Sequence, residues 1–346
     1  MTKNTLISIL GLALLVLGFT SCDKQTEKNE VTEPAITTIA FGSCNEHRRD
    51  QAMWKSVLNQ QPQAWVWLGD NVYGDTEDMS LLKEKYDTQK ANPDYTKLRE
   101  NTKVFGIWDD HDYGVNDGGK EYPMKKESRD LMFEFLDISS TDPVWNREGA
   151  YNSYLIGEGD KKVKIILLDA RYFRDTLTPS PDPELRYQPR ETGTILGEEQ
   201  WAWLEKEFEK NEAAIHLVGS GIQIIPDQHG WEKWGNFPHE RQRLFDLIQQ
   251  TKPNGAILLS GDRHIAEVSK VELEDLGYPL YEITASGLTH TWGEAGEEYN
   301  PHREGELIIK KNFGLLNIYW EENPLKVEVE IRGLADSLYQ QNIFYY

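Results

Sequence analysis

The chain has 346 residues, of which 38% are hydrophobic and 27% are charged, and its formal net charge at pH 7 is −21. A folded chain of this length buries about three quarters of its unfolded surface, so we expect one large domain or two closely joined ones. Binding to nucleic acid or to an anionic membrane depends on positive protein charge. The composition therefore excludes both as partners of the folded surface.

The first residues predict export. Lys3 precedes an unbroken apolar run at 6–19, which is too short for a stable membrane-spanning helix and typical of a signal peptide. The sequence FTSC, ending at Cys22, resembles a bacterial lipobox. We interpret residues 1–21 as a lipoprotein signal peptide and Cys22 as the lipidated N-terminus of the mature chain. The alternative is an ordinary cleaved signal that leaves Cys22 free.

Residues 22–36 are polar and lack aromatic side chains, which predicts a flexible acylated tether. We therefore expect a protein held to a membrane by the lipid at Cys22, in the cell envelope after export, either periplasmic or at the cell surface. With Cys22 acylated, Cys44 has no disulfide partner. A single thiol in an oxidising compartment is expected to be buried or bound to a metal.

From residue 35 onward, apolar runs of strand length alternate with amphipathic helical segments. Helices are predicted at 50–59, 127–137, 197–210 and 240–250. Strands are predicted at 35–43, 64–70, 103–108, 152–157, 162–171, 213–225, 254–264, 280–287, 305–312, 313–320 and 325–333. The strands at 152–157 and 162–171 are separated by a short turn and are predicted to form a hairpin. This order favours two sheets packed face to face and covered by helices.

Polar residues follow several of these strands at the point where each strand ends. They are Cys44 and Asn45; Asp70, Asn71 and Tyr73; Asp109, Asp110 and His111; and Asp262 and His264. Ligand sites in open α/β sheets lie beyond the carboxyl ends of the strands. Carboxylates gathered in such a cleft would repel one another strongly, and bound cations would remove that penalty. The pattern therefore predicts a metal site.

Four of these motifs carry a family resemblance. FGSCN, LGDNVYGD, WDDHDYGVND and LSGDRHIAE, in this order, resemble the alkaline phosphatase D (PhoD-like) family of the calcineurin-like metallophosphoesterases. The similarity runs from about residue 39 to about residue 290 and includes LDARYFRD. It implies an α/β (α+β) fold, a four-layer αββα sandwich of two mixed sheets flanked by helices, formed as a single domain by residues 37–346. It also implies a site that pairs Fe³⁺ with a divalent ion, Ca²⁺ in some members, with Mn²⁺, Mg²⁺ and Zn²⁺ as alternatives.

The resemblance also implies a role for each motif residue. Cys44, Tyr73 and His264 would bind the ferric ion, and Asp70 would bridge the two metals. Asp110 and Asp262 would bind the divalent ion, with Asp109 as an additional candidate ligand. His111 would face the leaving oxygen as an acid or electrostatic stabiliser. Arg171 is a further candidate, for holding a phosphate oxygen. The donor chemistry agrees, because thiolate, phenolate and imidazole suit a transition ion and carboxylates suit calcium.

The divalent shell implied by the resemblance lacks one ligand. Relatives with a GNH motif add a histidine after the next central strand, where this chain offers Ser220, Gln223 or His229. The spacing does not choose among the three. His290 is a further candidate for the cleft, and Trp231, Trp234 and Trp292 are predicted to form either an aromatic rim for a bulky substrate or ordinary loop packing.

The function implied by this reading is hydrolysis of phosphomonoesters, phosphodiesters or both by a metal-bound hydroxide. The substrate is expected to be a small-molecule or polymer phosphate ester, and the protein a monomer. One alternative is a phospholipase-like or polymer-cleaving phosphodiesterase on the same scaffold. The other is a non-catalytic surface lipoprotein that binds glycans through its tryptophans.

Overall fold

The structure, a computed structural model, describes residues 35–293 and 298–346. The predicted signal peptide, the lipidation of Cys22 and most of the predicted tether lie outside the described residues. Within the described ranges, no helix has both the length and the apolar character needed to span a bilayer.

The described residues form fourteen strands and seven α-helices. The strands are β1 Thr38–Gly42, β2 Ala64–Leu68, β3 Lys103–Ile107, β4 Asn152–Ile156, β5 Val163–Leu168, β6 Thr178–Pro179, β7 Tyr187–Gln188, β8 Ile215–Ser220, β9 Ala256–Ser260, β10 Ala266–Val271, β11 Leu280–Ala285, β12 Phe313–Tyr319, β13 Lys326–Arg332 and β14 Leu338–Tyr345. The helices are α1 Met53–Asn59, α2 Met79–Lys90, α3 Pro93–Asn101, α4 Asp110–Tyr113, α5 Lys125–Phe135, α6 Gly197–Glu209 and α7 Pro238–Thr251.

Twelve strands form two mixed, six-stranded sheets. The first sheet has the order β14-β13-β12-β1-β2-β3, and the second has the order β10-β11-β9-β8-β5-β4. Strands β1, β2 and β3 are parallel neighbours, and so are β5, β8, β9 and β11. Their carboxyl ends therefore lie along one edge of each sheet, which is where the sequence places the polar residues.

The second sheet buries both faces, and successive residues of a strand alternate between them. In β5, Ile165 and Leu167 join the hydrophobic cluster shared with the first sheet. Ile166 and Leu168, between and beyond them, belong instead to the cluster that includes Trp201 and other side chains of α6 and α7. This division follows from the period of two along a strand, and it places one core between the sheets and another beneath the helices.

Aromatic side chains pack helices against the outer face of the first sheet. The Trp54 ring of α1 contacts Trp65 and Trp67 of β2 at centroid separations of 4.9 and 5.3 Å. Tyr95 of α3 and Phe135 of α5 also pack on Trp67, at 5.6 and 6.2 Å. Such pairs contribute about 0.5–1.5 kcal/mol each beyond the area they bury. The result is the predicted four-layer arrangement, with helices outside two facing sheets.

The sequence-based element assignments were right for most of the chain and wrong at identifiable places. The predicted hairpin is present as β4 and β5, which pair antiparallel. The strand predicted at 305–312 is absent, because that segment makes only isolated bridges, from Ile308 to Ala266 and from Asn312 to Gly287. The helices α2 and α3, the strand β10 and the edge strand β14 were not predicted.

Candidate metal centre and active site

The predicted metal ligands lie together where the strands end. Cys44 follows β1, Asp70 follows β2, and Asp109 and Asp110 follow β3 of the first sheet. Asp262 follows β9 of the second sheet. Side chains that follow strands of both sheets therefore meet at one end of the sandwich.

One part of the centre, which we call the thiol group, combines sulfur, carboxylate and imidazole donors. Donor atoms of Cys44, Asp70 and His264 all lie within 4.8 Å of one another. The Cys44 Sγ is 3.4 Å from Asp70 Oδ2 and 3.0 Å from Ser286 Oγ. The Tyr73 hydroxyl lies 2.9 Å from His264 Nε2, so a phenol stands beside the same three donors.

The second part, which we call the carboxylate group, contains Asp109, Asp110 and Asp262, again with donor atoms within 4.8 Å of one another. A third set, of Asp70, Asp110 and His111, meets the same criterion. Asp70 therefore belongs to the thiol group and also lies beside Asp110 of the carboxylate group. This is the position that a ligand shared by two cations must occupy.

Backbone conformation directs four of these side chains into the centre. Cys44, Asp70, Asp262 and His264 have φ values of 58°, 50°, 65° and 54°, in the left-handed region that residues other than glycine rarely adopt. Each such conformation costs on the order of 1–3 kcal/mol and persists only where the surrounding structure enforces it. The strand ends are thus shaped to converge their side chains, at a cost to stability.

Glycines allow the strand ends to approach closely. Gly69, at φ +90°, leaves no room for a side chain, because a Cβ there would collide with the Cβ of Asp109. A Cβ on Gly221, after β8, would collide with the carboxylate of the same Asp109. Both positions therefore require glycine so that Asp109 can lie between the two sheets.

Burial and the charges of neighbouring acids change the pKa values of the carboxylates in the centre. Burial, with a contribution from the charges of neighbouring acids, raises the pKa of Asp70 and Asp109 well above the usual range and raises that of Asp262 to about 7. Burial disfavours ionisation of Asp110 as well, but His111, Arg171 and the Asp117 backbone N–H outweigh it and lower its pKa to about 2. Burial also raises the pKa of the Cys44 thiol to about 11. Protein groups alone therefore leave much of the cluster short of compensating positive charge.

His111 lies at the edge of the centre, with 19% of its side chain exposed. Its Nδ1 is 2.7 Å from Asp75 Oδ1, and its ring packs on that of Tyr73 at 4.1 Å. Although burial lowers the pKa of His111, the charges of Asp70, Asp110 and Asp75 prevail and raise it to about 11. Because Asp75 contacts Nδ1, Nε2 is the ring nitrogen left to act toward the pocket.

Arg171 occupies a position different from the one expected. Its guanidinium is completely buried, with Nε 2.7 Å from Asp109 Oδ1 and a terminal nitrogen 2.6 Å from Glu232 Oε2. It lies between two carboxylates and is not among the residues that line the open pocket. In this structure Arg171 neutralises Asp109 and Glu232 and does not present itself to a substrate phosphate.

The strand-end pattern selected neither Glu232 nor Asp117. Donor atoms of Asp110, Asp117 and Glu232 lie within 4.8 Å of one another, next to the carboxylate group. Glu232 lies in a loop between two tryptophans, with no strand ending before it, so the strand-end pattern could not select it. The only sequence pattern that pointed to Glu232 was its place as an acid among glycines and aromatic residues, in HGWEKWGN.

The three residues considered for the incomplete shell have other partners. Ser220 Oγ accepts a hydrogen bond from the Trp234 indole at 3.1 Å. Gln223 donates to Glu267 and Thr284 and accepts from Arg263. His229 is buried, and its Nδ1 accepts from the Trp231 backbone N–H at 3.2 Å. His229 is not part of the clustered His, Cys, Asp and Glu donor groups of the described residues, although its buried Nε2 has no hydrogen-bond partner there.

An open pocket of about 300 Å³ leads to the centre. Asp110, His111, Asp262 and His264 lie on its floor, and Trp231 and Trp292 are part of its wall. Trp234, the third tryptophan of the predicted rim, is fully buried and packs on Trp201 instead. His290 contacts Tyr73 and His264, with its Nε2 3.1 Å from the phenol oxygen.

The donor set is suited to holding metal ions. Among the buried atoms of the described chain, Asp109 Oδ2 and Asp110 Oδ1 have no hydrogen-bond partner, although unmatched buried oxygens of this kind are rare. A cation beside them would supply the missing partner and reverse the raised pKa values. Sulfur, phenol and imidazole lie on one side and carboxylates on the other, the division expected for a polarisable transition ion beside a hard divalent ion.

A two-sheet sandwich that gathers metal donors at its strand ends is a metallophosphoesterase-type arrangement, and comparison with known proteins identifies the family. The family model for PhoD-like phosphatases matches residues 39–313. The chain belongs to the PhoD-like phosphatase family. The solved structure of PhoD aligns with a TM-score of 0.70 over 90% of this chain and 69% of that one, at 16% identity, and so confirms the fold.

A curated relative is alkaline phosphatase D of Bacillus subtilis (strain 168). It is 21% identical to this chain over 322 residues, covering 80% of this chain. The match covers 54% of the relative, so the chain spans about half the length of that protein.

Proposed function

We propose that this protein hydrolyses phosphate esters, monoesters or diesters, at a dinuclear centre of Fe³⁺ and a divalent cation, with Ca²⁺ as the leading candidate for the second ion. The observation that carries the proposal is the set of overlapping donor groups at the strand ends. These groups overlap at Asp70 and Asp110, and their members Asp110, Asp262 and His264 line an open pocket, in a chain of the PhoD-like phosphatase family.

The residues divide into two ligand sets and one proton-bearing group. Cys44, Tyr73 and His264 would hold the ferric ion, Asp110 with Asp109 and Asp262 would hold the divalent ion, and Asp70 would contact both. Cations in such a centre supply Lewis-acid charge for the phosphoryl oxygens and lower the pKa of water, so that a metal-bound hydroxide is available as the nucleophile. Asp109 is additionally oriented by Arg171, which fixes one of its oxygens.

His111 is suited to assist the departing oxygen. Asp75 binds its Nδ1 at 2.7 Å, which leaves Nε2 as the donor on the pocket side. A proton held there offsets the negative charge that develops when the ester bond breaks. Acid assistance of this kind contributes about 10²–10⁴-fold to rate.

Replacement of the shared ligand tests the proposal. Asp70→Asn keeps the size of the side chain but removes the charge, so we expect loss of bound metal and a fall in kcat of about 10³-fold, equivalent to ~4 kcal/mol. Elemental analysis and turnover of p-nitrophenyl phosphate and bis-p-nitrophenyl phosphate are the measurements. Asp94→Asn, at an exposed ion pair with Lys97 on α3, is the matched control. Full activity and full metal content in Asp70→Asn would refute the proposal.

The identity of the metal on the thiol side is tested separately. Cys44→Ser should lower the iron content and remove any visible charge-transfer absorption, while the second metal remains. Unchanged iron in this variant would return Cys44 to a structural role. The ratio of monoester to diester turnover in the wild-type protein separates the phosphomonoesterase from the phospholipase-like and polymer-cleaving alternatives.

The proposal includes export and lipid attachment at Cys22, which rests on the lipobox-like FTSC sequence. Metabolic labelling with a radioactive fatty acid should mark the wild-type protein and leave Cys22→Ser unlabelled. Equal labelling of both would exclude this anchor. The non-catalytic alternative gains no support from the site, because the full set of donors in the four motifs is present and clustered.

A further inference from the structure

Two tryptophans from different loops meet on the wall of the pocket, in an arrangement that the proposed hydrolysis does not itself require. Trp231 lies in the loop after β8, and Trp292 lies in the loop after β11. Their ring centroids are 4.2 Å apart, with the planes inclined by 56°. We call this pair the tryptophan platform.

The platform leaves apolar surface uncovered. Trp292 is 38% exposed, and Trp231 is partly exposed beside it. An indole gains most stability by full burial, and contiguous exposed aromatic surface in a pocket commonly marks a ligand site. Trp234, in the same loop as Trp231, shows the contrast, because it is completely buried and its indole N–H is hydrogen-bonded to Ser220.

Buried polar groups fix the backbone of both platform residues. The Trp292 N–H donates to the carbonyl of His264 at 3.0 Å, which ties the platform directly to a predicted metal ligand. Lys233, itself buried, donates from Nζ to the carbonyls of His229 and Trp231 at 2.6 and 3.0 Å. The backbone at both platform residues is therefore tied by hydrogen bonds, directly at Trp292 to the backbone of a predicted metal ligand.

The chemistry of the pocket indicates which part of an ester the platform can take. The floor carries the donors expected to bind the phosphoryl group, so the platform faces the organic substituent. Arg186, whose side chain is 46% exposed on the pocket wall, is already paired with Asp117 at 2.7 Å. A neutral group with a flat ring face matches this surface better than a second anionic group, because rings stack on indoles with little dependence on their identity.

We propose that the tryptophan platform is a specificity site for the alcohol part of the substrate and selects phosphate esters that carry a planar aromatic ring, such as a nucleoside or an aryl group. This assignment rests on the proposed function for the position of the phosphate, but it concerns binding of the ring, which can be measured without turnover.

A pair of probes that differ only in the ring tests the platform. Adenosine 5′-monophosphate and ribose 5-phosphate have the same primary-alcohol ester and the same phosphate, and only the first has a base. For the purified wild-type protein we expect tighter binding of the adenosine ester by about 10-fold or more in calorimetry, and a similar ratio in kcat/KM for release of phosphate.

Two substitutions at one position separate stacking from packing. Trp292→Leu keeps apolar volume but removes the ring, and should reduce the preference for the adenosine ester at least 5-fold. Trp292→Phe retains a ring and should keep most of the preference. Equal binding of the two probes by the wild-type protein would overturn the assignment, and so would a preference that Trp292→Leu leaves intact.

The outcomes distinguish this assignment from the proposed function. If the metal-loaded wild-type protein hydrolyses neither probe, nor p-nitrophenyl phosphate, nor bis-p-nitrophenyl phosphate, the proposed function fails. The ratio of the two affinities from calorimetry still tests whether the platform binds the ring. If both are hydrolysed at equal kcat/KM and bound equally, the platform assignment fails while the hydrolase proposal stands.

Discussion

Arg171 provides the sharpest test of how the centre is held together. Its guanidinium is fully buried between Asp109 and Glu232. Replacement by methionine removes the positive charge, keeps most of the side-chain volume and leaves two buried acids with fewer partners. Because Glu232 retains Arg174 at 3.1 Å, Asp109 is the acid that loses most.

The magnitude follows from the distances. A pair of unit charges about 4 Å apart interacts by about 4 kcal/mol at an effective dielectric constant of about 20. Removing one partner of a buried pair typically costs about 3–5 kcal/mol, since the remaining charge stays desolvated. We therefore expect Arg171→Met to lower the free energy of unfolding by about 3–5 kcal/mol, and to lower Tm by roughly 5–8 °C.

The assay is urea and thermal unfolding of the metal-depleted protein, followed by circular dichroism. Arg171→Lys is the matched control, because a lysine keeps the charge but lacks the fork that reaches two carboxylates, and its loss should be intermediate. A fall of less than about 1 kcal/mol in Arg171→Met, together with a large rise in KM for phosphate esters, would contradict this reasoning. It would support instead the phosphate-holding role expected from the sequence.

Two further predictions concern catalysis and pH. His111→Ala should lower kcat by about 10²–10⁴-fold with both metals retained in elemental analysis, because His111 carries a proton and not a cation; loss of metal in this variant would show that its role was misassigned. Glu282, which accepts hydrogen bonds from the backbone of Ile224 and Ile225, has its pKa raised by burial to about 7. Since the folded-state pKa lies above the unfolded one, its contribution to stability is present below pH 4.5 and is lost as the pH rises through 7. In urea titrations, the free energy of unfolding of the wild-type protein, measured relative to that of Glu282→Gln, should fall by about 3 kcal/mol between pH 4.5 and 8. If the difference between the two proteins does not change with pH, this linkage is disproved.

The fold and the metal donors could be predicted where a short-range pattern carried the information. Strands β2 and β9 are apolar runs followed closely by an acid, and this is what made Asp70 and Asp262 recognisable. Helices α2 and α3 were missed because their apolar residues are few. Their start signals were present, however, since Asp78 caps α2 and Asn92 caps α3, with Pro93 at its first position.

The parts that could not be predicted depend on distant contacts. The burial of Arg171 between Asp109 and Glu232 brings together three loops that are separated by about 60 residues along the chain. The run at 305–312 contains Leu307, Ile308 and Ile309, but it makes only isolated bridges, at Ile308 and at Asn312. A pattern of residue types does not contain such pairings, which the tertiary arrangement decides.

The donors of the centre come from both sheets, with Cys44 and Asp70 contributed by one and Asp262 and His264 by the other. Ions held there would act as cross-links between the two halves of the sandwich, and their binding energy would add to the cohesion of the whole core. Chelation should therefore do more than inactivate the protein: it should lower the temperature at which the layers separate, by an amount that depends on the concentration of free metal.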